Sequence, residues 1–394
     1  MSSQSPVGVG VIGGGLMGRE AAIAFQRWGA LLDHPARPEL VAVADPSADA
    51  RRWFDEQGVD TVSSFTELLA FGAVDVVYVA VPHDLHEAIC SETIRAGKDL
   101  LAEKPFGMDL AAARNLVTAV SESGSFVRVS SEMPFYPGAQ RAIGYAASGA
   151  LGPIIEARSA FLHSSDLSLS KPINWKRQRA RCGDIGVMGD LGMHAVHAPF
   201  RLGWEPVSVR AILQDLVPSR PDGRGGTAAC DTHENATLSC RMRAEGQRPF
   251  PVTIETKRVA PGQMNTWTFE AVGMDGGVSF TTRYPATVRR FRVGDDGEQI
   301  WEELQSGHRS VFPTITGGIF EFGFTDALLQ MWAAYLAERA GVLGDRFGCA
   351  TPHEALASHE LFAAALDSDA GDRVVRLPSG GDLDGHQPGR DVEA

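Results

Sequence analysis

Val7–Arg19, VGVGVIGGGLMGR, is the stretch that decides the fold. Val7 to Ile12 is a short apolar run, the pattern of a buried strand. Gly13, Gly15 and Gly18 follow at the spacing G-x-G-x-x-G, and a helix is predicted from Leu16 to about Trp28. That glycine pattern between a strand and a helix predicts a dinucleotide site. Gly13 would make the tight turn, Gly15 would let the backbone approach a pyrophosphate, and Gly18 would let the helix pack closely on the strand. The amides at the helix start, at Leu16 and Met17, would face the phosphates, whose negative charge the helix dipole favours. The rival reading is an ordinary glycine-rich turn. The clean strand before the turn weighs against it.

Bulk properties narrow the class. A chain of 394 residues is long for one domain. Its apolar fraction of 44% and charged fraction of 22% are those of a globular protein. A formal charge of −13 argues against nucleic acid or an anionic membrane as the main partner. No apolar run reaches the length of a membrane span, and the start, MSSQSPVG, has no signal-peptide pattern. Five cysteines without a C-x-x-C pair fit free thiols in a reducing compartment, so a cytoplasmic location is expected.

Outward from the glycine turn, strand and helix alternate. A polar loop, Asp33–Glu39, precedes a second strand, Leu40–Ala44, which ends at Asp45. An acid there would accept hydrogen bonds from the adenosine ribose and repel a 2′-phosphate, favouring NAD over NADP. Asp45 lies somewhat beyond the usual ~20 residues, a delay that the Leu31–Pro38 insertion explains. A helix cap for Ser47–Gln57 is the alternative role for Asp45, and Arg51 and Arg52 just after it leave NADP open. Ser64–Glu67 has the form of a capping box. Val74–Val81, VDVVYVAV, reads as a central parallel strand covered on both faces. Asp99–Ala102 and Phe126–Ser130 are further strands, separated by a helix that Asp109 can cap. This alternation predicts a doubly wound α/β domain over residues 1–130.

After residue 130 the pattern changes. Gly138–Ser148 and Ile185–Leu202 read as helices, and Pro153–His163 as a strand. Lys171–Arg181, KPINWKRQRAR, is an irregular basic stretch. Between Val207 and about Glu303 several short segments alternate with period two, as in a large open, mainly antiparallel sheet with helices on one face. Helices over Phe322–Arg339 and Pro352–Leu366 and a short strand, Arg373–Leu377, follow. Residues 131–377 thus read as an α+β substrate and oligomerisation domain, and 378–394 as a mobile polar tail.

Four features, in this order, resemble the Gfo/Idh/MocA family of glucose–fructose oxidoreductase and inositol dehydrogenase. They are the glycine turn at 13–18, VAVPHDLH at Val79–His86, the EKP tripeptide at 103–105, and GDLGMHAVH at 189–197. The resemblance runs from about residue 7 to 377. It implies a Rossmann domain and a sheet domain with the substrate between sheet and nicotinamide, and homodimers or homotetramers paired through that sheet. The implied activity is NAD(P)-dependent oxidation of a secondary hydroxyl on a sugar, glycoside or cyclitol, or reduction of the matching ketone.

The resemblance also points to individual residues. Lys104, just past a strand's C-terminal end, could hydrogen-bond the reacting oxygen, with Pro105 restricting its backbone. Asp190 and His194 share a helix face at i and i+4 and match the family's D-x-x-x-H pair. His194 would accept the proton, with Asp190 orienting it or holding a substrate hydroxyl, while the family is mixed on whether lysine or histidine is the base. Pro82, His83, His86, Glu103 and Trp175 fall at family positions near the cofactor, with His83 in place of a frequent small polar residue; either histidine could instead start a helix, and Trp175 could be plain core. His197 stands where many members have an acid and reads as a satisfied buried histidine. A metal on Asp190, His194 and His197 is allowed by spacing, but no further ligand group is evident and none is expected. Glu132 replaces a frequent asparagine, which puts a usual contact in doubt. The Lys171–Arg181 run could reach cofactor phosphates or an acid group of the substrate, or be a solvated loop or subunit contact. GGIFEFGF, Gly317–Phe324, could wall an aglycone or simply enter the core. Two rivals to a net dehydrogenase remain: redox-assisted elimination with internally recycled NAD, and a non-catalytic cofactor-binding sensor or scaffold.

Overall fold

The computed structural model describes residues 5–378. All but the first residue of the expected tail lies outside the described residues. The first domain is a parallel sheet of β1 (Ser5–Ile12), β2 (Ala36–Ala44), β3 (Asp60–Val62), β4 (Val76–Val79), β5 (Asp99–Ala102) and β6 (Val127–Val129). The strand order is β3-β2-β1-β4-β5-β6. Every residue of β4 is buried, as its unbroken apolar run requires of a strand covered on both faces. Helices α1 (Leu16–Gln26), α2 (Ala48–Asp55), α3 (Phe65–Leu69), α4 (His86–Arg95) and α5 (Leu110–Ser121) alternate with the strands. Ser47, Ser64 and Asp109 cap α2, α3 and α5 through their side chains.

Two boundaries differ from the sequence reading. β2 starts at Ala36, inside the expected loop, because Ser5–Val9 pairs with Ala36–Leu40 and lengthens the ladder. The first helix ends at Gln26 and continues as a 3-10 turn, Arg27–Ala30, with the Trp28 indole donating to the Ala36 carbonyl at 2.9 Å.

The second domain is built on β7 (Ile154–His163), β8 (Glu205–Gln214), β11 (Asn235–Arg243), β12 (Phe250–Lys257), β13 (Asn265–Gly273), β14 (Gly276–Thr281), β15 (Thr287–Arg292), β16 (Glu302–Gln305) and β17 (Val375–Arg376). They form one nine-stranded sheet in the order β16-β15-β14-β13-β7-β12-β11-β8-β17. All its ladders are antiparallel except β7 with β12. A separate ribbon pairs β9 (Ser219–Pro221) with β10 (Thr227–Ala229). Helices α6 (Pro137–Ala147), α8 (Gly186–Arg201) and α10 (Pro352–Ala370) pack on the large sheet. The basic stretch is mostly irregular, with one 3-10 turn at Trp175–Arg177 and a single turn, α7 (Arg179–Cys182).

The chain then returns to the first domain. α9 (Phe324–Arg339) packs against α1, and Val129 bridges to Ala350. The Trp332 ring on α9 is fully buried, with ring centroids 4.7 Å from Phe25 and 5.4 Å from Tyr78. Among the described residues, no helix is long and apolar enough to cross a membrane.

Candidate active site

In an open parallel sheet ligands bind beyond the carboxyl ends of the strands, where the order reverses. Here that point lies between β1 and β4. Gly13 has φ +106°, and a Cβ there would meet the Ala80 carbonyl oxygen at 2.3 Å. A Cβ on Gly18 would stand 2.1 Å from the Gly13 oxygen, so α1 can lie this close to the turn only without a side chain. Gly15, the N-cap of α1, has open space where its Cβ would be. That cradle fits a pyrophosphate at the helix N-terminus. Asp45 sits at the end of β2 with its carboxylate accepting from the Gly14 and Ser47 amides, at 2.7 and 2.8 Å, and is still partly exposed. It therefore braces the glycine turn. Ser47 is the residue that caps α2. Arg51 donates to the Asp45 carbonyl, and Arg52 pairs with Asp49.

A cavity of about 350 Å³ opens beside Leu16 and Met17 and is walled on its far side by the second domain. Lys104, Asp190 and His194 all line it. Lys104 follows β5, and the Lys104–Pro105 peptide is cis. Its Nζ donates to the Asp190 carbonyl at 2.8 Å and to Asp190 Oδ1 at 3.3 Å. Asp190 and His194 both sit on α8. Asp190 Oδ1 also accepts from Lys176 Nζ at 2.7 Å, and its Oδ2 from Arg258 Nε at 3.0 Å. The carboxylate is thus engaged with three cations, and it holds these rather than the His194 ring. Burial alone would raise the Asp190 pKa, but Lys176, Lys104 and Arg258 outweigh it and hold the carboxyl well below the usual range. Burial pulls Lys104 down, yet Asp190, Glu103 and Glu132 together raise it, so its ammonium persists.

His194 is 1% exposed. Its Nδ1 lies 3.3 Å from the Ser131 hydroxyl and its Nε2 3.8 Å from Glu132 Oε1. Burial, then the charge of Lys104, holds its pKa well below 6.5, so the ring is neutral. Glu132 is the opposite case. Burial and the neighbouring Glu103 push its carboxyl up to about 7. Glu103 is buried and accepts from the Tyr78 and Ser130 hydroxyls, at 2.6 and 2.5 Å. Glu103 therefore braces the loop that carries Lys104.

The remaining candidates are spread behind this cluster. His83 and His86 are buried, with ring nitrogens bonded to the Cys182 and Val81 carbonyls at 3.0 and 2.9 Å. Pro82 and Trp175 are partly exposed, and Trp175 packs edge-on against His83 at 4.7 Å. His197 faces away, with Nε2 3.5 Å from Arg201, and burial pushes its pKa down to about 3. His197 thus lies outside the pocket that Asp190 and His194 line. Phe324 at the end of the aromatic stretch reaches the pocket, while Ile319 and Phe320 are exposed. Arg258 carried no sequence signal, because nothing in its local pattern marks a residue that will pair with Asp190.

Comparison with known proteins places the chain in a family. Residues 7–131 match the family model described as "Oxidoreductase family, NAD-binding Rossmann fold", and residues 140–279 the "GFO/IDH/MocA C-terminal domain". The chain belongs to the Gfo/Idh/MocA oxidoreductases, and its cofactor is NAD or NADP. A levoglucosan dehydrogenase from Pseudarthrobacter phenanthrenivorans is 27% identical over 293 residues, covering 69% of this chain and 73% of the relative. A dTDP-3,4-didehydro-2,6-dideoxy-alpha-D-glucose 3-reductase from Actinomadura kijaniata is 29% identical, covering 62% of this chain and 70% of that protein. Among solved structures, levoglucosan dehydrogenase in complex with NADH and levoglucosan superposes with a TM-score of 0.84 at 22% identity, over 95% of this chain and 100% of that one. An oxidoreductase domain protein from Kribbella flavida gives 0.85 at 21% identity, over 95% and 100%. At these identities the structural likeness speaks for the fold.

Proposed function

We propose that the protein oxidises a secondary ring hydroxyl of a sugar, glycoside or cyclitol with NAD, or reduces the matching keto sugar. The observation that carries this is the convergence of Lys104, Asp190 and His194 on one pocket beside the glycine turn. Sugar dehydrogenase and reductase relatives support the substrate class. NAD, when bound, supplies the hydride acceptor. The chain's part is to hold the reacting carbon within about 3–3.5 Å of it and to manage the proton.

Lys104 fits a donor rather than a base, since its pKa is raised and Asp190 fixes its direction. Its remaining N–H is free to bond the reacting oxygen and lower the charge that builds there. His194 enters neutral and fits the role of acceptor. The imidazolium it forms would have Glu132 Oε1 at 3.8 Å from Nε2 as counter-charge. Asp190 acts as the anchor for the cations around the substrate.

The test is a spectrophotometric screen for NADH with NAD, then NADP, against sugars, glycosides, cyclitols and sugar acids. NADH with one class supports the reading, and NAD binding without NADH from any class refutes it. His194→Ala should lower kcat by about 10²–10⁴-fold while the NAD dissociation constant stays within error. Lost NAD affinity with undiminished turnover at saturating NAD would reverse that assignment.

A further inference from the structure

The pocket carries more positive charge than the proton chemistry uses. Lys104, Lys171, Lys176, Arg177 and Arg258 all line it. The carboxylates that face them are already committed. Asp190 holds Lys104, Lys176 and Arg258. Asp166 pairs with Arg177 and, at 2.9 Å, with Lys171. The third lining acid, Glu132, stands beside His194 with its carboxyl pushed up to about 7. At neutral pH the lining is therefore net positive.

Several of these cations keep donors in reserve. Lys171 Nζ bonds Asp166 Oδ1 and the Ser165 carbonyl, which leaves its third N–H. Lys176 Nζ bonds Asp190. Arg258 is 1% exposed, yet its Nη2 has no partner among the described residues. That nitrogen is closed off from solvent, so the Arg258 guanidinium adds charge behind the wall rather than a donor into the pocket. Burial and the crowding of like charge also weaken the hold of these cations on their protons. Burial, then Arg220 and Arg258, holds the Lys171 ammonium below its usual pKa, and burial, then Arg258, pushes Arg177 down to about 9.

The cofactor phosphates do not account for this wall. Their cradle is the β1–α1 turn, whereas Lys171 follows β7 and Arg258 follows β12, on the large sheet. We propose that the substrate is a sugar bearing an anionic substituent, a carboxylate or a phosphate, seated against Lys171 and Lys176 with the Arg258 guanidinium behind them. The inference rests on the dehydrogenase reading in taking the same pocket as the substrate site. It gives the Lys171–Arg181 run a role, since three of the five cations come from it.

The test uses the full chain saturated with NAD. D-glucuronate, D-gluconate and D-glucose 6-phosphate are compared with D-glucose and methyl α-D-glucoside, by calorimetric binding and by NADH formation, at low and high salt. Anionic sugars should bind about 10–100-fold more tightly than their neutral twins. The preference should shrink as salt rises and collapse in Lys171→Glu. Glucuronate against glucose 6-phosphate separates carboxylate from phosphate. Neutral sugars binding as well as anionic ones, or no anionic sugar binding at millimolar concentration, overturns the proposal. So does a Lys171→Glu variant that loses NAD affinity as much as sugar-acid affinity, because the wall would then serve the cofactor. If that variant does not fold, the salt dependence of the unaltered protein decides. Anionic sugars that bind without NADH formation would refute the dehydrogenase reading and leave this inference standing.

Discussion

Glu132 Oε1 lies 3.8 Å from His194 Nε2, a carboxyl pushed up to about 7 by burial and Glu103 beside an imidazole that burial holds neutral. The raised carboxyl has a consequence for stability. The folded Glu132 titrates at about 7, the unfolded one near 4.5. Between those values the folded protein holds the extra proton, so stability falls as pH rises through that window and the loss is complete above it. A shift of this size corresponds to about 3 kcal/mol at most. Glu132→Gln should therefore raise Tm at about pH 8 and leave it nearly unchanged at about pH 4. Thermal unfolding at both values checks this. An equal gain at both, or none at either, would show that the carboxyl is not held protonated by burial.

At the scale of elements, the β1–α1 turn sets an open glycine and a tightly packed one within four residues. A Cβ on Gly18 would stand 2.1 Å from the Gly13 oxygen, so Gly18→Ala must move helix or strand and should cost about 1–3 kcal/mol. A Cβ on Gly15 meets no protein atom within 4 Å, and φ there is −72°. Gly15→Ala should keep the wild-type Tm and weaken NAD binding by about tenfold or more. Differential scanning calorimetry with an NAD fluorescence titration reads both. Equal loss of stability in the two variants would refute the division. This element was legible in the sequence because every feature of it is local: an apolar run, a glycine spacing and a helix start. Helix α8 was legible as a helix but not in its contacts. Gly186 to Pro199 is buried all round, so no apolar face identifies its neighbours.

At the scale of the molecule, the first domain is completed by a helix from the far end of the chain. Trp332 on α9 fills the space between Phe25 and Tyr78. Arg128 and Asp99 on the Rossmann side pair with Glu338 and Arg339 of the same helix, both at 2.6 Å. Trp332→Ala should cost about 3–5 kcal/mol. Limited proteolysis should then cut the first domain as readily as the second, because the lost packing lies at its core. A variant that keeps the wild-type midpoint in urea would show that α9 is dispensable to that domain. From the sequence, 322–339 reads as a helix within the second domain, since periodicity reports that a helix is buried and not against what.

The sequence by itself determined the alternation of strand and helix in the first domain, the glycine turn and the mainly antiparallel second sheet, and it singled out Lys104, Asp190 and His194 as candidates. Each rests on residues close together in the chain or on motifs in a fixed order. Only the tertiary structure decided what these residues face. It brought Arg258 to Asp190 across 68 positions, set Glu132 against His194, and folded the basic run into the pocket wall. The charge of a site is a sum over elements that meet only in space. A carboxylate's pKa depends on that sum and on exclusion of water, neither of which a linear pattern carries.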